Sequence, residues 1–367
     1  MLARLASFAV ALLLTAVAPC QQVHTVGPGQ TFATIGAAIA AAAAGDTVLV
    51  VGGSYLENID IDKSLQLVGQ GALLRTAFPG SSIRVHDLGP NQPVVVRGFT
   101  LQSLSGISMA LSVERCEGPV SLHDLANQGG AEMWGLVVDR SVQVHVARAL
   151  LLRASATDSV VAFEQCVVDP TSWAPGILSV ASTISLVQCS VHGAFVPGTA
   201  AVWLDGGGTL LATRSDLLGT GTGSFGQPAI QAFAGGTVLL DPSTTLGAGG
   251  SAPPITGAVA TVFEFASLRA SSDGTVLTAA AHGPANEVFV TVFSALAPAV
   301  ATPLGLTWLD LATFTPLYAG IYDATTRNHV ASIPHPPAPP GLTFGLQAVG
   351  LGAAGISLGL PTVLSMP

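Results

Sequence analysis

Charge is the scarcest commodity in this sequence. Only 9% of its 367 residues are charged, Lys63 is the sole lysine, and the formal net charge is −9. Phosphate backbones and anionic lipid surfaces are held by clustered lysine and arginine, so nucleic acid is excluded as a partner and an acidic membrane surface is disfavoured. Cysteine is almost as sparse: Cys20 lies in an apolar leader, and only Cys116, Cys166 and Cys189 follow it. Three cysteines cannot form a closed disulfide framework, and no CxxC or Cys/His spacing offers a zinc site. Beyond the leader no apolar run is long enough, without Gly, Pro or polar interruption, to cross a membrane. No cofactor or metal pattern is present, and neither is expected.

The leader itself is informative. Arg4 precedes an almost unbroken apolar stretch from Leu5 to Val17, Ala18-Pro19-Cys20 supplies small residues at the two positions a signal peptidase reads, and Gln21-Gln22 follow. That is the layout of a cleaved secretory signal over residues 1–20, too short to span a bilayer. The alternative is a lipidated Cys20, for which Pro19 is a poor preceding residue. Export, to the medium or the cell surface, is the expected fate. The remaining chain combines a hydrophobic content of 49% with 42 glycines, which is not a disordered composition and suits buried strands joined by tight turns.

After the leader, Thr31 or Thr34 can cap a helix running through the alanines to Ala44. Thr47–Val51 then reads as a buried strand, and 58–62 and 64–69 alternate with period two. The run FATIGAAIAAAAAGDTVLVVGGSYLENIDIDKSLQLVGQG resembles the N-terminal cap and first coils of the pectin methylesterase and pectate lyase-like superfamily. Val94-Val95-Val96-Arg97-Gly98-Phe99-Thr100-Leu101 resembles a coil of right-handed parallel β-helix proteins. The resemblance implies that fold and no particular activity, since the cap is shared by hydrolases, lyases and binding proteins. Within it, Tyr55 and Glu57 are expected to serve capping and strand-edge hydrogen bonds.

A repeat is visible without the family. Segments starting at Gly135, Gly176, Ala201 and Ala229 each carry a short apolar strand, a turn and a second strand; the last three starts are 25 and 28 residues apart. Val161–Asp169 fits a further coil between the first two. One coil cannot bury its apolar side, whereas a stack buries a continuous core. Roughly eight to ten coils are expected over 21–255. The alignment predicts an inward ladder of Cys166, Cys189, Ser215 and Ser243, with Gln165, Gln188 and Arg214 as an outward polar row. Adjacent Cys166 and Cys189 are close enough in this register for a disulfide in an oxidising compartment, the alternative being stacked thiols that stay reduced. Pro253-Pro254 then breaks the pattern, and about seven short strands with frequent turns predict a β-sandwich over 256–367, with the proline-rich 334–340 as a stiff connector.

Chemistry is harder to find. The Q-D-T and D-F-I-F-G segments of pectin methylesterases are absent, and the nearest strand, Phe163 to Asp169, departs into Pro170-Thr171-Ser172-Trp173. No outward acids with an adjacent basic residue on matching coils are apparent for a calcium-dependent lyase, nor the aspartate segments of inverting hydrolases. The G-x-S-x-G elbow is missing. Asp169 and His192 remain as catalytic candidates: both lie three residues after a ladder cysteine, so stacking makes them neighbours. A solvated Asp–His pair at a coil corner is the competing interpretation. Asp139 and Asp205 share a coil position with Val180 and Phe233 and read as turn residues. Trp173 and Trp203 are candidates for stacking on sugar rings, against core packing or loop anchoring.

The expectation is a secreted β-helix and sandwich protein, non-catalytic, binding polysaccharide or a cell-surface component. The alternatives are a divergent polysaccharide esterase, lyase or glycoside hydrolase, and a purely structural surface protein. Export has a direct check: Edman sequencing of secreted protein should start at Gln21, whereas a lipid-modified Cys20 at the N-terminus would place the protein on a membrane.

Overall fold

A computed structural model describes residues 21–76, 80–103, 109–128, 134–171, 174–195, 198–223, 226–262, 264, 266–294, 296–302, 305–309, 313–337, 343–352 and 355–366. They form two compact units, Gln22–Phe263 and Glu264–Pro367.

The first unit is a right-handed parallel β-helix of about nine turns. Its cap is the helix Ile35–Ala41, started by Thr34, whose hydroxyl accepts from Ala37 N at 3.3 Å. Glu57 accepts from the N–H groups of Ile35 and Gly36, both at 3.0 Å, and Tyr55 donates to the Val51 carbonyl. The two residues thus do the capping work expected of them. The helix stops at Ala41 rather than Ala44. The Ala43 N–H is taken by the Asp46 carboxylate at 2.8 Å and the Ala42 carbonyl by Lys63 at 2.7 Å, so the chain is captured before another turn can form. Burial alone would raise the Asp46 carboxyl; His24 and the N–H groups of Gln22 and Ala43 outweigh it and hold the group below the usual carboxylate range.

Each full coil presents three faces. The front face is a nine-stranded sheet that includes Ile59–Ile61, Ser81–His86, Met109–Glu114, Trp134–Asp139, Ala154–Thr157, Ile177–Val180, Val202–Asp205 and Ile230–Ala232. A seventeen-stranded sheet supplies the other two. Its middle face includes Val120–His123, Val144–Ala147, Val160–Glu164, Thr183–Val187 and Thr209–Thr213, and its return face includes Leu150–Leu151, Val167–Val168, Ser190–His192 and Asp216–Leu218. Leu136, Ile177, Val202 and Ile230 stand in one register and are all buried, as the repeat alignment predicts, and the structure adds buried Ala154 between the first two. Val161, Ile184 and Leu210 do the same on the middle face.

Corners between faces are single residues in the left-handed conformation. At the front-to-middle corner these are Asp87, Arg115, Arg140, Asp158 and Ala181, with φ from 46° to 56°, continued by Gly206. At the middle-to-return corner they are Gly98, Asp124, Arg148, Gln165, Gln188 and Arg214. Gly98 is needed there because a Cβ would lie 2.2 Å from the Gly69 carbonyl oxygen. The residue after each of these non-glycine corners turns inward. Cys166, Cys189 and Ser215 are buried, and Cys189 N donates to Ser215 Oγ at 3.1 Å, so this part of the predicted ladder exists. The outward row exists as well: Gln188 Oε1 accepts both terminal nitrogens of Arg214 at 3.1 Å.

Ser243 does not join the ladder. Leu240 pairs with Ala212 and Thr245 with Asp216, leaving one residue more at this corner than in the coil before. Pro242 occupies it, and proline, with φ fixed near −65°, cannot take the left-handed turn. The corner is therefore made with an extra residue, and Ser243, half-buried, accepts from Arg214 N at 3.1 Å instead. A hydroxyl ladder that the alignment did not anticipate lies at the other corner, where Cys116 N, Ser141 N and Ser159 N donate to Ser141, Ser159 and Ser182 Oγ at 3.2, 3.0 and 3.0 Å.

The coil also outlasts Pro253-Pro254. Ile230 N bonds the Pro254 carbonyl at 3.1 Å, Ile255–Thr256 pairs with Ile230–Gln231, and Ala260–Val262 pairs with Val238–Leu240. The prolines precede a strand, where a missing N–H is harmless, so the first unit runs past the expected end at 255. The second unit is antiparallel. Ser267–Ser272, Val276–His282 and Asn328–Pro334 form one sheet, and Thr315–Ile321, Val288–Ser294, Thr343–Gly352, Gly355–Leu358 and Thr362–Ser365 form another. Leu268, Leu277 and Ala279 share a core with Phe289, Leu346 and Leu364, the arrangement of a sandwich. Leu296–Thr302 adds a hairpin with Gly305–Leu309, and Gly359-Leu360-Pro361 separates the last two strands, Gly355–Leu358 and Thr362–Ser365.

Ala181 isolates the energetic cost of a corner, because its exposed methyl has φ 49° and no partner to keep. A left-handed non-glycine residue costs about 1–2 kcal/mol, and glycine's extra freedom when unfolded returns about 0.5–1 kcal/mol of that. Ala181→Gly should therefore stabilise by about 0.5–1 kcal/mol in urea titration and Ala181→Val should destabilise. A destabilised glycine variant would refute the strain.

Candidate functional site

On the return face, Val167 stands in register with Ser190 and Asp216, and Val168 with Val191 and Leu217. Val168, Val191 and Leu217 are buried, so their flanking residues project outward. That places Asp169 and His192 on adjacent strands, with His192 Nδ1 3.5 Å from Asp169 Oδ1. The sequence-predicted pair is brought together. A third member was missed: Ser190, two residues before His192 on the same outward file, has its Oγ 3.2 Å from His192 Nε2. Period-two alternation was the available signal, since residues i and i+2 of a strand share a face. Val167 and Leu218, 40% and 41% exposed, border the group. Asp216, beside Ser190, accepts from the Thr245 hydroxyl.

The front face divides along the stack. Its early coils carry outward acids beside arginines on matching coils, correcting the expectation that no such group exists. Arg84 Nη2 lies 2.7 Å from Glu114 and its Nη1 3.9 Å from Asp60, while Arg115 grips Asp87 through two bonds of 2.7 and 2.8 Å. His86 lies between Asp60 at 3.0 Å and Asp87 at 2.8 Å. Register hid this cluster from the sequence, since its members come from three coils. Its electrostatics are those of a clasp. Arg115, then His86, holds Asp87 far below the usual carboxylate range, and Arg84 holds Glu114 down. A general acid needs the opposite shift.

The later coils of this face are aromatic. Trp203 stands in register with Leu178 and Gln231, and its ring lies 5.2 Å from that of Phe233, tilted by 35°. Phe233 is 39% exposed and Trp203 partly so. Asp205, in register with Val180 and exposed, completes the patch. Trp173 lies outside the described residues.

Three further groups fail as sites. His123 and His145 are buried on the middle face with ring centroids 5.4 Å apart, and His145 Nε2 lies 3.3 Å from Glu164. Burial first, then His145, Arg148 and Arg97, pushes His123 well below the ordinary imidazole range. Cys116, Cys166 and Cys189 are free and buried, and burial pushes the Cys116 and Cys189 thiols up, away from reactive thiolate. A shallow depression of about 340 Å³ beside the cap is lined by Gly27, Pro28, Gln30, Gly53 and Tyr55, and the Tyr55 hydroxyl is already bound. Among the described residues no group of three or more His, Cys, Asp or Glu could hold a metal ion, and no helix is long and apolar enough to cross a membrane.

No protein-family model and no curated protein matches this chain. Among solved structures it is similar to the pectin methylesterase from Aspergillus niger, at 13% identity and a TM-score of 0.30, covering 62% of this chain and 77% of that one. It is also similar to chitinase ChiW from Paenibacillus sp., a cell-surface-expressed multi-modular enzyme, at 12% identity and a TM-score of 0.20, covering 94% of this chain and 24% of that one.

His123 makes stability depend on pH. Its folded value lies below the unfolded one, so between the two the unfolded chain binds more protons and stability rises with pH. The stability is present above about pH 6.5 and is lost below it, at up to about 1.4 kcal/mol per unit. Urea midpoints measured from pH 7.5 down to 5 should fall, and His123→Gln should flatten the slope even if it lowers stability at neutral pH. An unchanged slope in the variant would remove His123 as its source.

Proposed function

We propose that this is an exported protein that binds polysaccharide, or a glycan-bearing cell-surface component, with the glycan lying along the front face across Trp203 and Phe233. The observation that carries the proposal is the partly exposed aromatic pair on adjacent coils, rings 5.2 Å apart, with Asp205 and Gln231 beside it. Sugar rings present apolar C–H faces and equatorial hydroxyls. Flat aromatic rings cover the first, and carboxylate and amide groups bond the second. Strands spaced about 4.8 Å apart continue the face beyond this patch, which suits an extended polymer better than a small solute.

The charge pattern narrows the ligand. Arg84 and Arg115 are engaged by Glu114 and Asp87 and offer no free cation for a polyuronate. A neutral glycan fits this face better. The leader over residues 1–20 supports export.

Binding is tested on a glycan array and then by calorimetry with any polysaccharide retained. Trp203→Ala should weaken affinity by about tenfold or more, and Phe233→Ala by less, with the β-sheet circular dichroism signal unchanged. An array silent for the wild type, or affinity indifferent to both changes, would exclude this surface.

A further inference from the structure

We propose that Ser190, His192 and Asp169 form an acyl-transfer site on the return face, hydrolysing short-chain carboxylic esters borne by a large substrate. Three observations converge. Ser190 Oγ lies 3.2 Å from His192 Nε2, and His192 Nδ1 lies 3.5 Å from Asp169 Oδ1, so the imidazole bridges a hydroxyl and a carboxylate through its two nitrogens. With Nδ1 protonated toward Asp169, Nε2 is free to accept the serine proton, which is the order nucleophile, base and orienting acid. All three project from the same face of adjacent strands, and none is used to hold the fold: the inward residues Val168, Val191 and Cys189 do that. Finally, the exposed Val167 and Leu218 border the group and offer an apolar seat for a small acyl chain. His192 and Asp169 are 35% and 62% exposed, so the site is open to an ester carried on a large substrate as well as to a small free one. A polymer can be held elsewhere on the protein.

The chemistry balances with water as the only co-reactant. His192 Nε2 takes the Ser190 proton as Oγ bonds to the ester carbonyl carbon. The tetrahedral adduct collapses, the C–O bond to the alcohol breaks, and the departing oxygen receives the proton from His192. Water then gives a proton to His192 and attacks the acyl-serine carbonyl. The Oγ–acyl bond breaks, Ser190 recovers the proton, and the free acid leaves. Ser190 and His192 touch reacting atoms, whereas Asp169 is a positioning residue that acts through the imidazole.

The acceleration should be modest. The N–H groups of Ser190 and Gly193 donate to Cys166 and Leu218 carbonyls, and that of Ala194 to Thr199 Oγ1, so none of these forms an oxyanion hole. Base-assisted nucleophilic attack alone supplies about 10²–10⁴-fold. The experiment uses the full chain with p-nitrophenyl acetate and a fluorophosphonate probe, read by burst kinetics and by mass spectrometry of the labelled peptide. The wild type should label at Ser190 and show a burst. Ser190→Ala should abolish both, and His192→Ala should lower both at least about 100-fold. Asp169→Asn should reduce kcat with KM unchanged, and Asp169→Glu should restore part of it. These are surface changes, and circular dichroism verifies folding in each. No labelling of folded wild type, labelling at another residue, or hydrolysis unaffected by Ser190→Ala would overturn the proposal. Labelling at Ser190 that ignores His192→Ala would overturn the base assignment. Glycan affinity measured with Ser190→Ala keeps this result separate from the front-face proposal.

Discussion

The whole first unit depends on turning a strand through a sharp corner in one residue without losing a hydrogen bond. A left-handed residue does this: Arg115, Arg140, Asp158 and Ala181 each reverse the sense of φ, yet each still donates its N–H to a carbonyl of the next coil, at 2.9 to 3.0 Å. The geometry costs about 1–2 kcal/mol for each non-glycine corner. It is offset because the residue after each corner points inward. Cys166, Cys189, Ser141 and Ser159 are buried there, as are the larger Leu88, Phe99 and Leu125 of the early coils, and consecutive ones stack at strand spacing. Where a small residue carries a hydroxyl, that oxygen accepts a bond from the backbone N–H of the preceding coil, as Ser159 and Ser182 show.

The scarce charges gather on these corners. Arg115 faces Asp87, Arg148 faces Asp124, and Arg214 faces Gln188. Exposed pairs of this kind contribute little to stability, with a median of about 0–1 kcal/mol. Their physical effect is on register. The left-handed conformation projects the side chain away from the core, so a long polar residue meets its partner only when the corners of successive coils align. A strand slipped by one residue would bring buried apolar groups to the surface and part the pairs together.

Much of this was legible. The apolar period fixed the front-face register from Leu136 to Ile230, and small residues at one coil position gave Cys166, Cys189 and Ser215. Legibility ended where a coil changed length. One proline at position 242 shifted Ser243 off the ladder, and the double proline at 253–254 imitated a domain end while merely leading into another strand. Both misreadings weighed proline as a generic breaker rather than asking which backbone conformation and which N–H it removes. In the C-terminal unit only the number of strands and the frequent turns were legible, and Ser267–Ser272, rich in small polar residues, is made a strand by pairing with Val276–His282 rather than by its own composition.

Functional groups were least legible for a reason inherent in a solenoid. Neighbours on a face come either from two residues along a strand or from one coil away, and the coil length varies. Asp60, Arg84 and Glu114 meet across three coils at unequal separations, so no fixed spacing marks them. Ser190, His192 and Asp169 combine both kinds of neighbour. The same ladder that brings such residues together also limits what they can do. Backbone N–H groups on a β-helix face are committed to the coil above or below, so a developing oxyanion finds few free donors in the sheet itself. Typical oxyanion-hole donors are worth about 10²–10³ in rate each. A site built on such a face must therefore draw that stabilisation from side chains, from the loops joining the return face to the front, or from the substrate, and its chemistry stays slow where none of these supplies it.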